Sequence, residues 1–271
     1  MISILKKVSH IPVIRPHIRK GALLFFTAQR WLSNSLSGTS QPYKVWTERH
    51  FKSEEPFWDQ WFATKGLDWP DDYRERVDPN TLLREDIGRL LSCNDPKILD
   101  VGAGPITVLG KIWNGKRLNI TAIDPMGDEY AKILRKHNIV PAIPTITGPC
   151  SEELNRLFSP NTFDFSFAQN CLDHGYDPAR SVEQMVEVTK PGGTILLRHA
   201  VNEGKNELYS GEHQWNFHEK AGELVVSSPG VKSRNISRML SARVTITISY
   251  DPDSWMRVVM RKCEPSMGQN H

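Results

Sequence analysis

The 271-residue chain carries 34 Lys and Arg against 31 Asp and Glu, a formal net charge of +3 at pH 7, and 39% of its residues are hydrophobic. This length and apolar fraction allow one sizeable core with appendages. The small net charge argues against a nucleic-acid binder, whose basic face usually shifts the balance much further. The cysteines show no paired spacing, so we expect neither a structural zinc site nor obligatory disulfides, which fits a cytoplasmic protein.

Residues 1–42 are predicted to form a basic N-terminal arm, because no Asp or Glu precedes Glu48. Its apolar stretch, "GALLFFTAQRWL", stays apolar for only about eight residues, far short of the roughly 20 needed to cross a bilayer. Contact with an anionic membrane surface or a partner would suit this composition. An organelle transit peptide and a mobile extension are the alternatives.

Residues 43–77 are rich in aromatic side chains and predict two short helices, broken at Pro56 and at "KGLDWP". The aromatic side chains either bury these helices against the main domain or form a lid over a substrate pocket. Residues 264–271 are expected to be a disordered tail.

The main domain is predicted over residues 78–263, where short apolar runs alternate with helix-length segments. The predicted helices are "DPNTLLREDIGRLLS" with Asp78 as N-cap, "ITVLGKIW", "GDEYAKILRKHNI", "SEELNRLF" and "DPARSVEQMVEVTK". The predicted strands are "KILDV", "NITAID", "PAIPTIT", "FDFSFAQN" and "GGTILLRHA". This alternation predicts an α/β fold with a parallel sheet covered on both faces. The later strand-like runs "GELVVSS", "ARVTITISY" and "WMRVVMRK" predict an antiparallel finish.

The loop "DVGAGP" is the first candidate ligand site. Asp100 closes a strand, and Gly102 and Gly104 allow the backbone to turn tightly and approach a ligand. Asp124 lies 20 residues beyond Gly104 at the next predicted strand end, a place where an acidic residue commonly binds ribose hydroxyls. The pattern indicates an adenosine-type ligand. A dinucleotide is less favoured, because Thr107 stands where its fingerprint requires a third glycine.

Four motifs in order resemble those of the class I S-adenosylmethionine-dependent methyltransferases: "ILDVGAGP", "AIDP", "PCSEELNRLFSPNTFDFSFAQNCLDH" and "VTKPGGTILLRHA". The resemblance covers roughly residues 78–200. It implies a Rossmann-like, seven-stranded, mostly parallel sheet with helices on both faces and an antiparallel C-terminal strand, and it implies S-adenosylmethionine as cofactor. By this resemblance the cofactor-binding residues would be Asp100, Gly102, Ala103, Gly104, Asp124, Pro125, Cys150, Ser151, Gln169 and Asn170.

Within this implied set, Cys150 and Ser151 would flank the adenine, and Gln169 and Asn170 would lie under the transferring methyl. Relatives often carry an acidic residue where this chain has Cys150, so the contact to the adenine amino group would come from Ser151 or Glu152.

Methyl transfer requires the alignment of donor, methyl and acceptor, and often the removal of one proton. The segment "CLDHGYDP" follows the predicted fourth parallel strand, so His174 is the candidate general base and Asp173 its orienting or acceptor-binding partner. In the alternative, Asp173 caps the next helix and His174 packs against the cofactor.

The segment "YSGEHQWNFHEK" is the candidate acceptor site. His213, Gln214, Trp215 and Asn216 would provide hydrogen bonds and a stacking face, as polyol or sugar sites often require. A surface loop with one buried Trp is the alternative. The spacing of His199, His213 and His218 shows no metal-ligand pattern, so we expect no metal, and a cation-dependent mechanism is the less favoured alternative.

We therefore expect an enzyme that methylates a small molecule or a glycan, most simply at oxygen. The basic, proline-punctuated start "IPVIRPHIRKGALL" favours a glycan or lipid-linked acceptor and a possible peripheral membrane contact. A nucleic-acid methyltransferase is disfavoured, because "QNCLDH" replaces the catalytic tetrad of amino-methylating members. A non-catalytic binding module and a nicotinamide oxidoreductase are the remaining alternatives.

Overall fold

The computed structural model describes residues 15–37 and 54–264, with side chains over 21–32 and 54–264. The helices are α1 (Arg15–Ser37), α2 (54–63), α3 (Pro70–Val77), α4 (Glu85–Gly88), α5 (Gly127–Lys136), α6 (Pro178–Val188), α7 (Glu203–Asn206) and α8 (Ile236–Met239), with 3-10 turns at Ser151–Arg156 and Leu172–His174. The strands are β1 (Lys97–Val101), β2 (Ile112–Trp113), β3 (Lys116–Arg117), β4 (Asn119–Asp124), β5 (Thr145–Thr147), β6 (Phe163–Gln169), β7 (Thr189–His199), β8 (Asn216–Lys220), β9 (Glu223–Ser227), β10 (Arg234–Asn235), β11 (Val244–Tyr250) and β12 (Met256–Lys262).

A seven-stranded sheet in the order β11-β12-β7-β6-β1-β4-β5 forms the centre of the protein. Five neighbouring strands run parallel, in the spatial order β7-β6-β1-β4-β5. Strand β12 pairs antiparallel with both β7 and β11. The predicted Rossmann-like sheet with an antiparallel C-terminal strand is therefore confirmed. The strand order reverses between β1 and β6, which places the switch point of the fold at their carboxyl ends.

The central strands β1, β6 and β7 are largely buried on both faces, as is typical of continuous apolar runs in parallel strands. Helix α6 covers one face, where Val182, Met185 and Val186 belong to the same core cluster as Ile195 and Leu197 of β7. The helix begins as the sequence predicts: the Asp177 carboxylate accepts the backbone N–H of Arg180, and Pro178 occupies the first helical turn.

A three-stranded antiparallel sheet in the order β10-β9-β8 packs on the same side as α6. Its inward side chains, Trp215, Phe217, Leu224 and Val226, join the core cluster of α6 and β7. This packing brings residues 213–216 to the end of β6, although 40 or more residues separate them from it along the chain.

The predicted amphipathic helix over 78–92 is wrong, since only Glu85–Gly88 is helical there. The backbone of Thr81 and Leu83 instead bonds to Lys111 and Ile112, with N–O distances of 2.7 to 3.2 Å. Asp78 ends α3, and its side chain accepts the N–H of Asn80 in a local turn. Tertiary backbone pairing therefore overrides the helical pattern.

The predicted helix over "ITVLGKIW" is also wrong, because residues 102–111 form an irregular loop that leads into β2. The Thr107 hydroxyl donates to Asp100 and accepts the backbone N–H of Leu109, a local bond that competes with helix formation. A Cβ at Gly110 would lie 2.2 Å from the Leu82 carbonyl oxygen, so the loop is held tightly against the 78–84 segment.

The aromatic-rich segment forms α2 and α3, separated at residues 64–69 as predicted. No break occurs at Pro56, which lies in the first turn of the described part of α2 and needs no N–H partner there. Trp61 and Phe62 are buried, with 2% and 3% of their surface exposed, in a cluster with Ile106 and Tyr130. Residues 38–53, including the first predicted helix, lie outside the described part of the chain.

Helix α1 belongs to the predicted basic arm. Arg30 is buried and its Nε lies 3.4 Å from Ser228 Oγ, whereas Leu24, Phe25, Trp31 and Leu32 are exposed. None of the helices among the described residues combines the length and apolar character needed to cross a bilayer. Contact of the arm with a membrane surface stays a prediction, and residues 265–271 of the predicted tail lie outside the described residues.

Replacing Trp61 by Ala is expected to reduce the free energy of unfolding by about 3–5 kcal/mol, because a fully buried ring between α2 and the main domain is lost. The matched control is Trp69→Ala, whose ring is 57% exposed and whose loss should amount to less than about 1 kcal/mol. Urea unfolding followed by circular dichroism measures both. Equal losses would show that α2 does not depend on core packing.

Candidate active site at the ends of β1, β4 and β6

The glycine-containing loop after β1 is fixed to the end of β4. The backbone N–H groups of Gly102 and Ala103 donate to the Ile123 carbonyl at 2.9 and 3.2 Å. Gly102 and Gly104 have φ angles of +65° and +64°, which side chains with a Cβ rarely adopt. A Cβ on Gly102 would also lie 2.7 Å from Cys171, so the chain after β6 passes directly beside this loop.

Asp124 places a carboxylate beside the glycine loop. Its Oδ2 accepts the Gly104 N–H at 3.2 Å and its Oδ1 accepts the Met126 N–H at 3.0 Å, while only 6% of the residue is exposed. Ala103 is buried and Pro125 half-buried on either side. Gly102, Gly104 and Asp124 form a cradle, the arrangement that the motifs predict for the methionine and ribose parts of S-adenosylmethionine. Cys171 and Trp58 lie against the two glycines.

Helix α2 covers this loop. The Trp58 ring would lie 3.2 Å from a Cβ on Gly104, and its Nε1 donates to Glu54 at 2.9 Å. The guanidinium of Arg76 in α3 lies over the same ring, 5.5 Å from its centre. The sequence identified this segment as a lid or a packed helix but did not single out Glu54 and Trp58. An acidic residue one helical turn before a tryptophan was the available signal.

Thr107, which occupies the place of the missing third glycine, has a role of its own in this loop. It bonds to Asp100, which is 2% exposed. Burial raises the pKa of Asp100 to about 7, and the hydrogen bond from Thr107 only partly opposes this effect. Asp100 is therefore a buried carboxyl group that holds the loop through its hydrogen bond with Thr107.

The predicted adenine-side residues hold the chain between β5 and α6. The Ser151 hydroxyl lies 2.8 Å from that of Ser181, and Glu152 Oε1 accepts the backbone N–H groups of Tyr176 and Asp177 at 2.8 and 2.9 Å. Burial raises the pKa of Glu152, although these hydrogen bonds act in the opposite direction. Cys150 is buried. The Glu152 carboxylate therefore bonds to the backbone before α6 and does not face an open adenine edge.

Gln169 and Asn170 lie at the end of β6, beside β7. Gln169 Oε1 accepts from Arg198 at 3.2 Å, and Asn170 Oδ1 accepts the Ala200 N–H at 3.3 Å. Asn170 has a positive φ of +47°, which turns the chain sharply out of the strand. This turn directs residues 171–174 past the glycine loop.

Asp173 and His174 follow in a 3-10 turn and meet His213 there. Asp173 Oδ2 lies 2.8 Å from His213 Nδ1 and 3.7 Å from His174 Nε2, and the two histidine nitrogens are 3.2 Å apart. The orienting bond expected between Asp173 and His174 is thus made to His213 instead. Asp177, and not Asp173, caps the following helix.

The charges and hydrogen bonds of this cluster shift the pKa values of Asp173 and His213. Burial alone would raise the pKa of Asp173, but the charge of His174 and the hydrogen bond from His213 outweigh it and hold the pKa below its ordinary value. Burial lowers the pKa of His213, but the hydrogen bond to Asp173 and its charge outweigh burial and raise it. Asp173 is therefore a buried carboxylate compensated by imidazole groups.

The other predicted acceptor residues are built into the fold. Gln214 Nε2 donates to the Tyr209 and Gly211 carbonyls, and Trp215 Nε1 donates to the Gly175 carbonyl at 2.9 Å. Asn216 accepts the Lys205 N–H at 2.8 Å. All three are at least 95% buried, so His213 is the member of this set that lies at the cluster.

Two further polar residues near the cluster were not assigned a role from the sequence. His199, at the end of β7, is 1% exposed, and neither ring nitrogen has a hydrogen-bond partner among the described residues. Burial lowers its pKa to about 4, so the ring is neutral and stacks on Phe217. Burial also raises the pKa of Glu203, whose charge acts on His213 and Asp173. His199 lies in the motif "VTKPGGTILLRHA" but was given no role there, and Glu203 lies in none of the quoted motifs.

The strand order, the glycine loop and the acidic end of β4 together define the class I methyltransferase type of Rossmann-like fold. Residues 99–197 match the family described as "Methyltransferase domain". The matched residues, from β1 to β7, are therefore similar to a methyltransferase domain, the kind of domain that uses S-adenosylmethionine as methyl donor.

Similar proteins match over part of their length. An uncharacterised protein of Mycobacterium tuberculosis strain H37Rv is 34% identical over 116 residues, which are 41% of this chain and 38% of that protein. The ubiquinone biosynthesis O-methyltransferase of Colwellia psychrerythraea is 31% identical over 103 residues, 38% of this chain and 41% of the enzyme. The matched region thus spans about two fifths of these relatives. A putative S-adenosylmethionine-dependent methyltransferase structure from Methanococcus maripaludis is 12% identical with a TM-score of 0.48, over 79% of this chain and 94% of that one.

Replacing Asp100 by Asn should make the cofactor-free protein less sensitive to pH. The pKa of Asp100 in the folded protein is raised to about 7. The free energy of unfolding of wild type therefore falls as pH rises from 4 towards 7, because the unfolded chain ionises this group more readily than the folded protein does. We expect the variant to gain about 2–3 kcal/mol over wild type between pH 5 and pH 8 in urea unfolding. The exposed Asp95→Asn change should show no such gain. Parallel pH profiles of Asp100→Asn and wild type would contradict a buried carboxyl group.

Proposed function

We propose that this protein transfers the methyl group of S-adenosylmethionine to a hydroxyl of a small molecule or glycan. The proposal rests chiefly on one juxtaposition: the cradle of Gly102, Gly104 and Asp124 lies at the ends of β1 and β4, and the Asp173–His174–His213 cluster lies at the neighbouring end of β6. A donor bound in the cradle would have the cluster at its acceptor side.

The residues of the cradle would bind and orient the donor. S-adenosylmethionine, when bound, supplies a methyl group on a positively charged sulfur. Asp124 would accept hydrogen bonds from ribose hydroxyls, and the backbone of the glycine loop would face the methionine part. Trp58 and α2 would cover the loop and reduce its access to water.

The cluster after β6 would hold the acceptor. An alcohol or phenol must lose its proton as its oxygen takes the methyl, and a group near that oxygen must favour this loss. His174 and His213 are half-buried, so they lie between the interior and the solvent side of the site. A relative of this chain is named as an O-methyltransferase of ubiquinone biosynthesis, which supports oxygen as the acceptor atom.

Asp124→Ala is expected to weaken the binding of S-adenosylmethionine at least about 10-fold, because a charged acceptor of ribose hydrogen bonds is lost. Isothermal titration calorimetry of the full chain should give a micromolar Kd for wild type and an unchanged Kd for the control Asp128→Ala, an exposed aspartate four residues on. Unchanged binding by Asp124→Ala would overturn the assignment of the cradle.

The acceptor class is tested by incubating the protein with methyl-labelled cofactor and a fractionated cell extract. We expect label in a small-molecule or glycolipid fraction, and less label with Asp124→Ala at a cofactor concentration below its Kd. Label confined to nucleic acid or protein would contradict the proposed acceptor while leaving the methyl-transfer activity in place.

A further inference from the structure

Three potential ligand atoms converge on one point at the end of β6. The distances among Asp173 Oδ2, His213 Nδ1 and His174 Nε2 are 2.8, 3.2 and 3.7 Å. The atoms come from two segments about 40 residues apart in the chain, so the fold and not local sequence brings them together.

Hydrogen bonds do not account for this arrangement. His213 Nδ1 faces both Asp173 Oδ2 and His174 Nε2, yet a single ring nitrogen carries at most one proton. The second carboxylate oxygen, Asp173 Oδ1, is buried and has no hydrogen-bond partner among the described residues. An unsatisfied carboxylate oxygen on a residue that is 1% exposed destabilises the folded protein, so a missing partner is indicated.

A bound cation accounts for the convergence. Ligand bonds of about 2.0–2.2 Å arranged tetrahedrally place neighbouring ligand atoms about 3.4 Å apart. The three distances scatter around this value, and two imidazoles with one carboxylate are a ligand set that transition ions accept. Magnesium prefers oxygen ligands in an octahedron and is a poorer match.

We propose that Asp173, His174 and His213 bind a divalent transition cation of the Zn²⁺ type, with an open coordination position towards the methyl acceptor. The site is distinct from the cofactor cradle, and its binding of a cation does not depend on the function proposed above. Only its role in catalysis rests on that function.

The surroundings of the three residues suit this assignment. Glu54 Oε1 lies 3.8 Å from His174 Nδ1, the ring nitrogen that points away from the site, so a carboxylate stands beside this histidine at an ion-pair distance longer than a hydrogen bond. Glu54 also accepts a hydrogen bond from Trp58. Helix α2 therefore contacts both the cradle, through Trp58, and the cation site, through Glu54.

A cation at this position would bind the acceptor oxygen and lower the pKa of its hydroxyl. The proton passes to water, and the acceptor oxygen then forms its bond to the methyl carbon. The electron pair of the broken carbon–sulfur bond stays on sulfur, so the step balances without an oxidant or reductant.

The test is titration of the metal-free full chain with Co²⁺ and Zn²⁺. We expect one Co²⁺ per chain, a visible spectrum of nitrogen and oxygen ligands without a thiolate charge-transfer band, and displacement by Zn²⁺. His213→Gln and Asp173→Asn should each weaken binding at least about 100-fold. The control His137→Gln, a histidine paired with Asp59 elsewhere, should leave binding unchanged.

Zinc should also raise the unfolding temperature of wild type in a concentration-dependent way, and this measurement needs no variant. His174→Gln replaces any variant that fails to fold. The proposal is overturned if wild type binds no stoichiometric Co²⁺, if a thiolate band appears, or if His213→Gln and His137→Gln bind equally well.

Titration of the same metal-free proteins with S-adenosylmethionine separates this proposal from the previous one. Cofactor binding without cation binding would reject the cation site alone. Cation binding without cofactor binding would reject the methyltransferase function and leave the cation site established.

Discussion

The parallel ends of β1, β4 and β6 are the constraint on which the rest of the site depends. Because the strand order reverses between β1 and β6, their loops diverge to opposite faces of the sheet and leave a crevice between them. The close contact of Gly102 with Cys171 crosses that crevice. It holds the Asp124 side of the crevice, where we propose that the donor binds, next to the Asp173 side, where we propose that the acceptor binds. Neither side is a site without the other.

The sequence predicted the sheet well because its strands are buried on both faces, and such strands read as continuous apolar runs. It failed where a segment with helical periodicity is held by partners that no local pattern shows. The backbone groups of Thr81 and Leu83 bond to those of Lys111 and Ile112, so they are not available for the hydrogen bonds of a helix in either segment. Helical periodicity there reflects burial against a loop and not a helix.

For the site, the motifs located what depends on the strand ends, namely the glycine loop, Asp124 and the turn that carries Asp173. They did not predict that His213 would be the bonded partner of Asp173, because this pairing requires the small sheet to pack beside α6. The same packing explains why the polar side chains of Gln214 and Asn216 form their hydrogen bonds with backbone groups. Polar residues beside a site serve the scaffold unless the fold leaves their atoms open.

The place of β12 in the sheet has a consequence for how the chain reaches this structure. Among the described strands, β11 pairs only with β12, and β12 lies between β11 and β7, so β11 has no edge to join until the later strand arrives. During synthesis, residues 244–250 must therefore wait unpaired until β12 follows, and the two strands can then join the edge of β7 as an antiparallel hairpin. Such a waiting strand is a natural point of recognition for a chaperone, and its exposed time sets the risk of association between nascent chains.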